Sequence, residues 1–70
     1  MKTISILVPT YNEEDNIPLV YHRVVAVMED KLPQYLFEVV FVDNASTDRS
    51  RALIQELCAK DKRIKAIFNA

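Results

Sequence analysis

Apolar residues alternate along this chain between two textures: short, nearly unbroken runs, and longer stretches where they recur every three or four positions. The first run covers residues 3–8, with Ile4, Ile6, Leu7 and Val8, and reads as a strand buried on both faces and ended by Pro9. From residue 16 to about residue 30, Ile17, Val20, Tyr21, Val24, Val27 and Met28 fall at helical spacing. Asn16 or Asp15 suits the N-cap of that helix, and Pro18 is tolerated in its first turn. Residues 31–36, with Pro33, form a connection. Residues 37–42 repeat the strand texture. Ser46 or Thr47 is then expected to cap a second helix, with Asp48 in its first turn. Leu53, Ile54, Leu57 and Cys58 form that helix's buried stripe, while Arg49, Arg51, Gln55, Glu56 and Lys60 face water. Residues 61–63 make a turn, and residues 64–68 a third strand.

The order is β-α-β-α-β. It predicts an α/β fold with a parallel three-stranded sheet, a Rossmann-like mononucleotide-binding half of a doubly wound domain. Right-handed crossovers that advance in one direction put both helices on one face of the sheet. The other face would then present apolar side chains to water, whereas parallel sheets are ordinarily covered on both sides. The chain also stops just past a strand, at Asn69-Ala70. Residues 1–70 are therefore expected to be the N-terminal portion of a larger, here incomplete domain, and to self-associate through the uncovered sheet face.

Composition narrows the function. A formal net charge of −1 with scattered Lys and Arg gives no nucleic-acid footprint. The one cysteine, Cys58, allows no intrachain disulfide and fits a reducing compartment. No apolar run approaches the roughly 18 residues of a membrane span, and the first is cut too short for a signal peptide. A cytoplasmic chain is expected. Glycine is wholly absent, which excludes the glycine-dependent phosphate loops of dinucleotide-binding, Walker-type and kinase sites.

Each of the first two strands runs into a polar cluster, residues 9–14 and 43–48. Parallel strands joined by one crossover bring both clusters to the same carboxyl edge, where open α/β sheets bind ligands. Tyr11 can stack on a base there, and Glu13 can accept from ribose or base donors. Equally, Tyr11 can pack on neighbouring loops while Glu13 and Glu14 favour the helix N-terminus. Asp43 can bind base, ribose or metal, and Asn44 offers both donor and acceptor. Turn chemistry accounts for the same two residues, and capping accounts for Asp48. His22 reads as solvated and Cys58 as an inert core thiol. Glu13, Glu14 and Asp15 diverge around a loop, so cap chemistry explains them better than a metal.

Residues 6–14, Ile-Leu-Val-Pro-Thr-Tyr-Asn-Glu-Glu, closely resemble the opening of family 2 glycosyltransferases, inverting enzymes with a GT-A fold. Residues 38–48 resemble that family's second signature, V-D-D-G-S-x-D, at fitting spacing. The subgroup most alike is the polyprenyl- or dolichyl-phosphate sugar transferases. The resemblance implies that Pro9, Tyr11 and Glu13 line a pocket for the base and ribose of a nucleotide-sugar (a UDP- or GDP-sugar), completed by Asp43 and Asn44. It implies a polyprenyl-phosphate or glycan acceptor, a role in cell-wall or polysaccharide synthesis, and work at the cytoplasmic face of a membrane. Asn44 stands where a second aspartate is usual, and Ala45 where glycine is usual, so the turn either avoids positive φ or bears strain. Such enzymes hold Mg²⁺ or Mn²⁺ through a D-x-D motif and use a further acid as base. No D-x-D occurs here, so the metal ligands and catalytic base are expected outside this chain, which alone would be inactive. The alternative is a non-catalytic nucleotide-binding or receiver-like regulatory module with Asp43 as its functional acid.

Overall fold

A computed structural model describes residues 2–69. The elements are β1 (Thr3–Thr10), α1 (Ile17–Lys31), β2 (Leu36–Asn44), α2 (Ser50–Lys60) and β3 (Ile64–Asn69). They form one parallel sheet in the order β1-β2-β3, which is the β-α-β-α-β arrangement expected from the pattern.

Burial alternates along the strands instead of being continuous. On one face Ile6, Val8, Phe37, Val39, Phe41, Ile64 and Ala66 meet Ile17 and Tyr21 of α1 and Ile54 of α2 in a single core. Phe41 and Ile54 are fully inaccessible. Each such side chain contributes about 1.5–3 kcal/mol by leaving water. Both helices thus cover the same face, as two right-handed crossovers in one direction require. On the other face Leu7 is 66% and Ile67 51% exposed. The register sets Leu7 beside Val40, and Pro9 beside Val42 and then Ile67, so the uncovered side carries a continuous apolar strip. The expectation that β1 is buried on both faces is therefore corrected: it alternates, because no layer among the described residues covers its second face.

Two local expectations change as well, and a third holds for position but not for bonding. Pro9 does not end β1, which continues through Thr10; a strand paired on one side only tolerates a proline without an amide donor. Val27 is 52% exposed and Val25 packs on the core in its stead. Asn16 does occupy the N-cap of α1 but makes no side-chain capping bond. The Asn16 and Ile17 amides are satisfied by the Glu13 carbonyl, at 2.9 and 3.1 Å. His22 is exposed, edge-on to Tyr21.

The amino end of the sheet is locked by charge. Asp61 accepts from Arg63 Nε (2.9 Å) and Nη2 (2.8 Å) and from the Tyr21 hydroxyl (2.9 Å). Arg63 also reaches Glu29 at 3.2 Å and lies over the Phe37 ring. Hydrogen bonds from Arg63 hold the Asp61 carboxyl far below the usual carboxylate range. Its hydrogen bond to Asp61, with burial, raises the Tyr21 hydroxyl above its ordinary value. This cluster ties α1 and β2 to the α2–β3 turn. No helix among the described residues is long and apolar enough to cross a membrane.

Candidate functional site

In the β1–β2 register Thr10 stands opposite Asp43, so the two strands finish side by side at the carboxyl edge. Each then turns through a residue in the left-handed region, Asn12 at φ 48° and Ala45 at φ 59°. Asparagine adopts that conformation readily and alanine does not. The strain anticipated for an alanine in the second turn is realised.

Asp43 lies fully buried between the two turns. Its Oδ1 accepts from Thr10 Oγ1 at 3.0 Å and Ser46 Oγ at 2.5 Å. Its Oδ2 accepts from the Ser46 amide at 3.1 Å and Arg51 Nε at 2.9 Å. Burial alone would raise this carboxyl, but the bonds from Ser46, Arg51 and Thr10 outweigh it and hold Asp43 below the ordinary range. Arg51 is not the solvated residue that the helix pattern suggests. Beyond Asp43, its Nη2 donates to the Asn69 carbonyl, and its guanidinium lies 5.2 Å from the centroid of Phe68.

The two loops are stitched into one unit. The Asn12 amide donates to Ser46 Oγ at 2.9 Å. Asn12 Oδ1 accepts from the amides of Thr47 (2.8 Å) and Asp48 (3.3 Å). The Glu13 amide donates to Ser50 Oγ at 2.9 Å, and the Glu14 amide to Asp48 Oδ2 at 3.2 Å. These bonds explain why α2 starts at Ser50 and not near Ser46 or Thr47. The groups that could have capped an earlier start are engaged across the gap. Asp48 precedes the helix and still accepts from the Ser50 amide, at 2.8 Å. It therefore ties the start of α2 to the first loop, while Arg49 holds the N-cap position and makes no side-chain capping bond.

Of the residues anticipated as a site, Pro9, Tyr11, Glu13 and Asn44 are exposed along this edge, Tyr11 at 59%. Asn44 Oδ1 accepts from Asn69 Nδ2 at 2.9 Å, which extends the edge to β3. Asp43 is the exception, lying beneath the surface with both oxygens engaged. The pattern missed Thr10, Asn12, Ser46, Ser50 and Arg51, which hold the loops. Pairing the two clusters in parallel register would have found Thr10. The others depend on side chains meeting across more than thirty residues or across a turn.

The edge is an open shelf. A cavity of about 350 Å³ lies at the opposite end of the sheet, beside Met28, Pro33, Tyr35 and Arg63, where Glu29 and Arg63 are already paired with each other. Among the described residues no group of three or more His, Cys, Asp or Glu could hold a metal ion. Cys58 is half-buried and burial raises its thiol pKa, as for an inert packing residue.

The sequence profile of Glycosyl transferase family 2 matches residues 5–70. The undecaprenyl-phosphate 4-deoxy-4-formamido-L-arabinose transferase of Photorhabdus laumondii is 35% identical over 69 residues, covering 97% of this chain and 21% of that protein. The uncharacterized glycosyltransferase YkcC of Bacillus subtilis is 41% identical over 63 residues, 90% of this chain and 19% of its own length. Human dolichyl-phosphate beta-glucosyltransferase is 31% identical over 62 residues, 84% of this chain and 19% of its length. The chain thus spans about a fifth of the length of the relatives it matches.

Proposed function

The chain belongs to glycosyl transferase family 2, and from that premise we propose that it is the nucleotide-sugar-binding segment of an inverting glycosyltransferase. The complete enzyme passes a sugar from a nucleoside-diphosphate donor, a UDP- or GDP-sugar, to a lipid-phosphate or glycan acceptor. The observation that carries this reading is the single stitched shelf at the carboxyl edge, with Tyr11, Glu13 and Asn44 exposed on it. Tyr11 supplies a face for the base, worth about 1–3 kcal/mol when a base stacks. Glu13 supplies an acceptor for ribose hydroxyls, and Pro9 and Asn44 border the base. The lipid-phosphate acceptor is favoured by relatives named for undecaprenyl phosphate and dolichyl phosphate, and with it a place at the cytoplasmic face of a membrane.

The described residues do not fit a resident cation, since their carboxylates do not converge. Mg²⁺ or Mn²⁺ for the donor diphosphate, and the base that activates the acceptor, belong to residues beyond these. The receiver-like alternative needs a strand-end acid open to a phosphoryl group, and Asp43 is closed on every side. Titration calorimetry of the full-length protein with UDP, GDP and their sugars tests the reading. Saturable binding that weakens in Tyr11→Ala is expected, and absence of binding to any of them would overturn it.

A further inference from the structure

We infer that Asp43 is a positioning residue, which sets the two loops of the shelf through Thr10, Ser46 and Arg51, and that a bound nucleoside meets Tyr11 and Asn44 while the Asp43 carboxylate stays covered. The inference rests on the nucleotide-sugar reading above and deepens it. A carboxylate has about four lone-pair sites, and all four of Asp43 are filled by the protein's own donors. No part of the side chain is accessible. A base N–H could reach it only by displacing one of those donors.

The donors come from three different parts of the fold. Thr10 ends β1, Ser46 lies in the loop after β2, and Arg51 is the second residue of α2. The hydroxyl of Ser46 carries one proton and gives it to Asp43. Its lone pair is thereby turned to the Asn12 amide, which donates to it. Asn12 in turn fixes the Thr47 and Asp48 amides and adjoins Tyr11. The ionised acid orients the serine, the serine orients the first loop, and that loop carries the stacking side chain. Arg51 extends the same anchoring to the Asn69 carbonyl, and Asn69 holds Asn44. An amide at position 43 would keep the shape but put a donor where the lattice needs an acceptor.

The test uses the full-length protein, with UDP, GDP and CDP as probes measured by calorimetry, and Asp43→Asn, Thr10→Val and Thr10→Ser as variants. Asp43→Asn is expected to weaken all three nucleotides by about the same factor, roughly tenfold, the equivalent of one lost charge-assisted hydrogen bond. The ratios among them stay at the wild-type values. Thr10→Val, which keeps the shape of Thr10 without its donor, weakens all three in the same proportion by about threefold, and Thr10→Ser restores them. In unliganded Asp43→Asn the amides of Asn12 and Thr47 exchange with deuterium at least tenfold faster. A tenfold change in the ratio of any two nucleotides in Asp43→Asn, with Thr10→Val leaving binding untouched, would show direct base contact and overturn the inference while the nucleotide reading stands. Wild-type protein that binds none of the three would instead remove the nucleotide reading, and this inference with it.

Discussion

Replacing Ala45 by glycine should stabilise the protein, although glycine ordinarily destabilises an ordered chain. Ala45 is held at φ 59°, where a Cβ crowds the following carbonyl at a cost of about 1–2 kcal/mol. Glycine removes that cost but adds freedom to the unfolded chain, which returns about 0.4–1 kcal/mol. The methyl group is only partly buried, so little packing is lost. The net gain is about 0.5–1 kcal/mol, or roughly 3–6 °C in Tm for a domain of this size. Urea and thermal unfolding followed by circular dichroism measure it, with Ala26→Gly as the control. Ala26 is exposed in the middle of α1, where the same substitution should cost about 0.5–1 kcal/mol. Opposite signs at the two positions are the expected result. If Ala45→Gly destabilises as Ala26→Gly does, the second loop does not turn through a left-handed residue, and the lattice built on that turn is wrong.

Other outcomes follow from the same geometry. Tyr11→Ala should weaken nucleotide binding by about 1–3 kcal/mol with Tm nearly unchanged, because the ring is 59% exposed and supports no core packing; calorimetry and thermal unfolding separate the two effects. Asp43 and Asp61 both titrate below the usual carboxylate range when folded. Their stabilisation is therefore complete above the unfolded value near 3.9 and is lost as pH falls below it, so urea midpoints should drop steeply below about pH 4 and less so in Asp61→Asn. Tyr21 is shifted the other way, so its contribution is intact below about pH 10 and fades above, a loss that Tyr21→Phe should abolish. Leu7→Lys, on the uncovered face, should change stability by less than about 0.5 kcal/mol yet reduce self-association of the 70-residue chain in sedimentation velocity.

The two periodicities were enough to read the element order, the parallel sheet and the shared carboxyl edge, because each rests on burial that a strand or helix must achieve locally. Boundaries were less legible where polar residues stay in register. Thr10, Asp43 and Asn44 look like loop residues in the sequence, yet the ladder runs through them, since Thr10 pairs with Asp43 and Asn44 with Asn69. The start of α2 was misplaced for a related reason. Ser46, Thr47 and Asp48 have capping chemistry, but their groups are engaged by Asn12 and Glu14, partners some 34 residues away that no local rule sees. Arg51 reads as solvated from the helix pattern, although its place in the first turn of α2 sets it against Asp43. The exposed residues of the candidate shelf were thus legible by residue type, and the side chains that hold its loops together were not.

The central claim is that a nucleotide sits on the carboxyl edge of the sheet. Backbone ¹⁵N–¹H spectra of the labelled protein, titrated with UDP- and GDP-sugars, report this residue by residue. Shifts should concentrate at Tyr11 to Glu13 and Asn44 to Asp48, leaving Glu29, Tyr35 and Arg63 at the far end of the sheet unmoved. Shifts confined to that far end, or none at the carboxyl edge at saturating nucleotide, would contradict it.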